Sequence, residues 1–297
     1  MSPLNKNKIL VTHNGTFHAD DIFATATLSL LLDGNIEVIR TRDEEIIQTA
    51  DYVYDVGGEY DPDRNRFDHH QKGGAGAREN GIPYAAFGLV WRTYGEKLCG
   101  SSALAQKIDE YFIQSIDAND NGISTYEVND NNIGPITIEN IFSSFRPTYN
   151  EPEEYDAQFL ELVEFAKKVL QRKIIKAQAE LQASTIVEEA YTNASDKRVI
   201  LLDGKYPFFD TLFTHPEPLY VVAPGIGTTW RVMTINKENK SFENRKSLPE
   251  SWAGLRDQEL AIVTGVPDAT FCHNGRFLAV AGSREGALKL AELAVLA

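Results

Sequence analysis

The first sixty residues alternate between short apolar runs and a longer helix-like stretch so regularly that few topologies can accommodate them. KILVTH, from Lys8, is a brief apolar run ending in a polar residue. Such a run suits a strand buried on both faces whose C-terminal end presents His13. DDIFATATLSLLLDG follows, opened by Asp20 and Asp21 and closed by Gly34, the start and stop signals of a helix. IEVIRTR reads as a second strand, DEEIIQTA as a short acidic-headed helix and YVYDVG as a third strand. Strand, helix, strand, helix, strand in this order predicts a parallel sheet with ligands at its strand ends.

Beyond Asp55 the Gly57 and Gly58 pair breaks the third strand, and EYDPDRNRFDHH has the form of a hairpin turning at Pro62 and Asp63. That hairpin carries Asp68, His69 and His70 back over the sheet edge. The glycine-rich QKGGAGARENG forms a loop beside them. Four of the six histidines lie in the first seventy residues, in THNGTFHADD and FDHH. Imidazole and carboxylate without a nearby cysteine is the donor set of manganese, magnesium or zinc at a hydrolytic site, not of a thiolate structural zinc. Singly, each has a plainer reading: an Asp at a helix start is usually a cap, and a lone strand-end His a hydrogen-bonded loop residue. Capping does not explain an Asp-His-His run.

A site that hydrolyses phosphate esters needs a metal pair, a carboxylate bridging it and a metal-bound hydroxide at neutral pH. Asp55, at a strand end, is placed to be the bridge. His13, His18, Asp20, Asp68, His69 and Asp120 are the groups that could surround it.

The rest of the chain reads as helix and then mixed α/β. PYAAFGLVWRTYGEKL and SSALAQKIDEYFIQSIDA are helical, the second running out at Asp117 and Asp120. From Glu153 to about Ala190 the pattern is helical without Gly or Pro, a stiff connector in form. The last hundred residues alternate strand signals (VILLD, LYVVAPG, TWRVMTI, ATFCHNG, RFLAVAG) with a short helix near Leu255 and a terminal one from Ser283. The NKENK that follows TWRVMTI reads as a plain surface turn. With 42% hydrophobic residues, 297 residues can bury two cores. The expected fold class is therefore α/β, with a parallel-sheet N-terminal domain over residues 1–150, a connecting helix over 151–195 and a smaller mixed α/β C-terminal domain over 196–297.

Net charge is −14, which argues against loose, phosphate-driven binding of long nucleic acid. The excess is local: residues 1–195 hold 17 Lys and Arg against 31 Asp and Glu, and residues 196–297 hold 12 against 12. Bound divalent cations would offset part of it. MSPLNKNK has no apolar stretch behind its lysines and no run is long enough to span a membrane, so no export is expected. Cys99 and Cys272 form no CxxC pair and read as reduced thiols of a cytosolic protein.

Taken together and in order, HNGTFHADD, VYDVGGEYDP, FDHHQ, IDANDNGIS, GLRDQEL and SREGA resemble the melanocyte-proliferating-gene family of DHH-type phosphoesterases over nearly the whole chain. The resemblance implies a DHH-type catalytic domain, a substrate-side C-terminal domain, and two divalent cations with manganese preferred over magnesium. It also implies 3′-to-5′ exonuclease action on single-stranded RNA or a short oligonucleotide. Carried over by position, Asp55 is the bridging carboxylate, His69 the metal-binding histidine and His70 the neighbour facing substrate phosphate, with Asp68 fixing the His69 ring. The first motif of the wider superfamily, His-x(3)-Asp-x-Asp, is altered here to His13-x(4)-His18-x-Asp20. Asp120-Asn121-Gly122 fits the fourth better than Asp117, which is the runner-up.

In the C-terminal part, Gly275, Gly282 and Gly286 flank His273 and Arg284, and Ser283 to Gly286 open a helix whose amides attract phosphate. Arg256, His273 and Arg284 are the candidate substrate-binding residues there, against the plainer reading of a helix cap with an exposed arginine. Two other functions remain open from the sequence: hydrolysis of a small phosphate compound such as pyrophosphate, a short oligonucleotide or a cyclic dinucleotide, and a metal-stabilised binding module without turnover. An oligomer is compatible with all three.

Overall fold

The computed structural model describes residues 7–128, 130–238 and 243–297, so part of the NKENK turn lies outside the described residues. It divides into two compact units, Met1–Gln178 and Ala179–Ala297. The boundary falls inside the long helix that spans Tyr155–Asn193.

In the first unit, β1 (Lys8–Thr12), α1 (Ala19–Leu31), β2 (Ile36–Arg40), α2 (Glu44–Thr49) and β3 (Tyr52–Tyr54) follow the predicted alternation. A hairpin of β4 (Tyr60–Asp61) and β5 (Arg66–Phe67) completes a five-stranded sheet in the order β2-β1-β3-β5-β4. Every pairing is parallel except β4 with β5. The hairpin turns through a single 3-10 turn at Pro62–Arg64, where the Asp61 carboxylate accepts from the Asp63 and Arg64 amides. β5 is therefore parallel to β3, and β1, β3 and β5 end on the same edge.

Side-chain alternation assigns the two faces. Leu10, Tyr54 and Phe67 pack under α1 and under α3 (Ala86–Cys99), with Ala24, Leu28, Leu89 and Val90. Val11 and Val53 face the other way and meet Ile46 and Ile47 of α2. Small residues in ADDIFATATLSLL let α1 be buried along most of its length. Behind α1 and α3 comes a helical layer: α4 (Ser102–Ile108), α5 (Gln114–Asp120), α6 (Ile138–Ser143) and the first half of α7 (Tyr155–Asn193). A π-helical turn, Asp109–Ile113, joins α4 to α5, so what reads as one helix in sequence bulges in its middle. Phe23 is the hub of this layer, stacked on Phe87 at 5.2 Å and Phe142 at 5.7 Å, and edge-on to Phe112 at 5.2 Å.

The second unit holds β6 (Val199–Leu201), α8 (Phe209–Phe213), β7 (Tyr220–Pro224), β8 (Trp230–Thr234), α9 (Asp257–Thr264), β9 (Ala269–Cys272), β10 (Leu278–Ala281) and α10 (Arg284–Leu296). Its sheet runs β6-β7-β8-β10-β9 and is antiparallel apart from β6 with β7. α10 covers one face through Ala287, Leu290, Ala291 and Ala294. Val187 of α7, with Phe208 and Leu212 around α8, covers the other. Cys99 and Cys272 are buried free thiols. Among the described residues no helix is long and apolar enough to cross a membrane.

Candidate metal centre

The C-terminal ends of β1, β3 and β5 meet the N-terminus of α1 and the C-terminus of α5 in one cavity of about 1000 Å³. β1 delivers His13, β3 delivers Asp55 and β5 delivers Asp68, His69 and His70. α1 brings His18, Asp20 and Asp21, and α5 brings Asp120. Two arginines pin the β1–α1 loop from outside: Arg40 donates to the Gly15 carbonyl at 2.8 Å, and Arg146 to that of Phe17 at 2.9 Å. Asp21 closes the loop by accepting from the His18 amide at 3.0 Å, and Glu139 accepts from the Ala19 amide at 2.8 Å.

Asp55 lies at the centre. Its Oδ2 is 3.1 Å from His13 Nε2 and its Oδ1 is 3.3 Å from His69 Nε2. His13 Nε2 is also 3.3 Å from Asp21 Oδ2, and His69 Nε2 is 3.1 Å from Asp120 Oδ2. The His13 ring holds its Nδ1 at 3.1 Å from the Asn14 carbonyl, so Nδ1–H donates there and Nε2 is the nitrogen left for a ligand. Three sets of donors lie within 4.8 Å of one another: His13 with His18 and Asp55, Asp55 with His69 and His70, and His18 with Asp20 and Asp120.

Asp68 departs from its expected role. Its Oδ1 accepts from the His69 and His70 amides at 2.7 and 3.1 Å and from the His70 ring at 2.8 Å; its Oδ2 accepts from the Gly58 amide at 2.6 Å. It therefore fixes the His70 ring, not that of His69. The reason is geometric: the His69 side chain turns inward to Asp55 and Asp120, whereas His70 stays mostly exposed over Asp68.

Asp117 is engaged elsewhere. Its Oδ2 is 2.8 Å from the Arg78 guanidinium and its Oδ1 accepts from the Gly88 amide at 3.0 Å. Residue 88 must be glycine for this approach, because a Cβ would collide with the carboxylate. Asp120, one turn on, faces the cavity. Sequence reasoning passed over Asp21, taken as a helix-start acid, over Asn14 and Thr16, which lie inside HNGTFHADD but were given no role, and over Arg42 and Glu139, which line the cavity without belonging to any motif.

The electrostatics test whether cations fit. Burial pushes Asp20 well above the usual carboxylate range, and the charges of Asp55, Asp120, Asp21 and Asp117 push it further. Neither Asp20 oxygen meets a hydrogen-bond donor among the described residues. Burial lifts Asp21 to about 7 against the lowering effect of His13. Burial opposes the charged form of His69, but hydrogen bonds to Asp120 and Asp55 outweigh it and raise the ring to about 10. His13 is raised for the same balance of reasons. Burial acts to raise Asp55 too, yet the two imidazoles hold it well below the normal range. An unpaired buried carboxylate beside others is costly unless a cation compensates it. Two donors sharing one cation at about 2.0–2.2 Å each stand roughly 3 Å apart, the spacing of these imidazole–carboxylate pairs. The residues fit divalent cations.

The predicted residues of the second unit lie apart from this cluster in sequence and are described by themselves. Arg256 precedes α9 with its guanidinium 4.7 Å over the Phe271 ring. His273 Nδ1 accepts from the Gly275 amide at 2.9 Å, and its ring lies 4.2 Å from Phe277. Arg284 is exposed at the start of α10. The α10 N-terminus differs from expectation. Ser283 Oγ accepts from the Gly286 amide at 3.0 Å and donates to Asp268 at 2.5 Å, so an internal carboxylate already stands where a phosphate was expected.

A parallel α/β sheet with a buried imidazole–carboxylate cluster at its C-terminal edge defines the class: a protein built to hold divalent cations at a topological strand-end site. The chain belongs to the MYG1 exonuclease family, described as an uncharacterised protein family (UPF0160), whose model matches residues 9–295. It is 35% identical to the MYG1 exonuclease of Rattus norvegicus over 314 residues, covering 94% of this chain and 82% of that one. It is 34% identical to that of Homo sapiens, with 94% and 84% covered, and 29% identical to the MYG1 protein of Schizosaccharomyces pombe, with 96% and 97% covered. Among solved structures it is similar to RecJ from Thermus thermophilus in complex with Mn2+, at 12% identity and a TM-score of 0.28, over 99% of this chain and 53% of that one. That structural likeness is too slight for its chemistry to bear on this chain.

Proposed function

We propose that this protein is a metal-dependent exonuclease that shortens single-stranded RNA or short oligonucleotides from the 3′ end. In this reading two divalent cations, manganese by preference or magnesium, are held by His13, His18, Asp20, Asp55, His69 and Asp120. One observation carries it: the Asp55 carboxylate is divided between two imidazoles, one oxygen to each, beside an Asp20 carboxylate buried without a partner. A carboxylate divided in this way is suited to bridge a cation pair. The exonuclease names of the vertebrate relatives supply the reaction class.

Cations bound there would withdraw charge from the phosphodiester oxygens and let water ionise near neutral pH. The rest falls to the chain. His13 and His69 present Nε2 inward, and the Asn14 carbonyl orients the His13 ring from its other nitrogen. His70 keeps Nδ1 on Asp68, which leaves Nε2 for substrate. The Asp68 hydrogen bond raises the pKa of His70 against the effect of burial, so the ring retains its proton to higher pH. A protonated ring there donates to a phosphate oxygen.

The test is a panel of 5′-labelled single-stranded RNA, the matching DNA, a dinucleotide and pyrophosphate, each with manganese, magnesium or chelator. The expected result is a ladder of RNA products shortened from the 3′ end in manganese and no products with chelator. Early release of the labelled nucleotide would reverse the polarity. Hydrolysis of small phosphate compounds is the second reading, favoured by the net charge of −14, which repels a long polyanion. Cleavage of pyrophosphate alone would select it.

A further inference from the structure

A second cavity, of about 770 Å³, adjoins the first, and Arg42, Val56 and Gly57 line both. It lies beside α2, which has only six residues. Ile46 and Ile47 cover Val11 and Val53, but the same face of β5 is left to Arg66. Gly57 keeps the passage clear: its φ is +96°, and a Cβ there would press on Ile47 at 3.3 Å. The floor is apolar, formed by Ile47, Val53 and Val56.

The charges around this passage are arranged unlike those of the metal centre. Arg42 is exposed and, among the described residues, has no ion-pair or hydrogen-bond partner. It is also the one Lys or Arg among the described residues lining the first cavity. Arg66 donates to the carbonyls of Gln48, Ala50, Arg64 and Asn65 and forms no direct ion pair among the described residues, although the charges of Glu59 and Asp61 act on it and Glu44 and Glu59 also line the cavity. Arg64 is spent on Glu59 and Asp61. In a chain this acidic, an unpartnered Arg42 and an Arg66 without a direct ion pair, beside an apolar floor and opening off a phosphodiester site, match one ligand chemistry: a phosphate followed by an aromatic ring.

We propose that Arg42 grips the phosphate next to the scissile one and that the second cavity seats the attached nucleoside, its base on the Ile47–Val53–Val56 floor beside Arg66. The inference rests on the phosphodiesterase reading and deepens it: the preferred substrate carries at least one nucleotide beyond the cleaved bond, which a simple diester or pyrophosphate lacks. A planar guanidinium suits both tasks, binding phosphate through two parallel hydrogen bonds and stacking on a base.

The experiment compares Arg42→Ala with the unmutated protein on two substrates in manganese. One is a 5′-phosphorylated trinucleotide and the other is bis(p-nitrophenyl) phosphate, which has the scissile phosphate alone. The expected result is a ratio of kcat/KM values, trinucleotide over simple diester, that falls about tenfold to a hundredfold in the variant. An unchanged ratio overturns the proposal. A second arm measures binding of a fluorescein-labelled trinucleotide by anisotropy, with calcium replacing manganese, at several salt concentrations. Here Arg42→Ala should bind more weakly, with a salt slope shallower by about 0.7 for the one phosphate lost. Should the unmutated protein cleave neither substrate, the functional reading fails while this arm still decides the inference. Equal affinity and equal slope refute it; weaker binding with a shallower slope upholds it.

Discussion

Asp55 stands in the left-handed region of the backbone, with φ of 56° just past β3. That conformation costs a non-glycine residue on the order of 1 to 3 kcal/mol and persists where surrounding structure fixes it. Here it brings one carboxylate between His13 and His69. Asp55→Ala should therefore abolish turnover and most manganese binding, because one group serves both positions. Asp68→Asn should bind manganese as before and lose about 10- to 100-fold in activity through His70. Manganese titration of both variants decides it; unaltered affinity in Asp55→Ala would remove the bridging role. The same residues set a pH dependence whose sign can be worked out. Asp21 at about 7, against 3.8, and His13 and His69, the latter at about 10 against 6.5, are all raised in the fold. Stability from a raised group is complete below its unfolded value and lost as pH rises through its folded value. Metal-free protein should thus weaken as pH climbs from about 4 towards about 10. Asp55, being lowered, loses its contribution only in acid. Cations replace the protons, so manganese should bind more tightly at about pH 8 than at about pH 6 and release protons on binding. Calorimetry in two buffers of different ionisation enthalpy measures both, and equal affinity at the two pH values would contradict the coupling.

At the scale of elements, α5 carries two carboxylates one turn apart with opposite duties. Asp117 is tied to Arg78, itself joined to Asp109 on the π-helical turn, and this places Asp120 over His69. Despite Arg78, burial holds Asp117 up at about 7. Removing the guanidinium strands a buried carboxylate, so Arg78→Met should cost about 3 to 5 kcal/mol. Chemical denaturation measures the loss, and a change under about 1 kcal/mol would show that Asp117 is satisfied without it. This pairing also marks where sequence reading stops. The βαβαβ order was legible because periodicity and caps are local: KILVTH, DDIFATATLSLLLDG and YVYDVG each state their own element. His13, Asp55 and His69 were legible as a group because parallel strands bring their C-terminal ends to one edge. Asp21 was not, since in sequence it is one more acid in a helix's first turn. α6 and α8 were missed because they are short and held by tertiary contacts such as Phe142 on Phe23. The sharing of duties between Asp117 and Asp120 depends on Arg78, some forty residues away in sequence, which no local pattern announces. Likewise Asp268, which precedes β9 and accepts from the hydroxyl of the Ser283 cap, could not be foreseen from SREGA alone.

For the whole molecule the distribution of charge limits how a nucleic acid can be held. The acidic excess lies in residues 1–195, with 17 Lys and Arg against 31 Asp and Glu, and Arg42 is the one Lys or Arg among the described residues lining the candidate metal centre. Recognition must then rest on few phosphates, each met by a placed guanidinium. Oligonucleotide binding should accordingly show a shallow salt dependence, about 0.7 in log K per log salt for each phosphate met. Residues 196–297 hold 12 Lys and Arg against 12 Asp and Glu and include Arg256, His273 and Arg284, but the Asp268 carboxylate already stands at the α10 N-terminus. The Gly286 amide is taken by the Ser283 hydroxyl and a carboxylate stands beside it, which disfavours an anion there and leaves any grip at that end to the exposed Arg284 side chain. Arg284→Ala should lower kcat/KM on an oligonucleotide about tenfold to a hundredfold, as the loss of a charge-assisted hydrogen bond does. Its manganese stoichiometry should match that of the unmutated protein, because Arg284 is no donor to a cation. Measured together, the two readouts separate a substrate contact from a structural one: a fall in both would mean that the substitution disturbs the fold. Unchanged kinetics would assign Arg284 to the solvated face of α10 and leave phosphate recognition to the first unit.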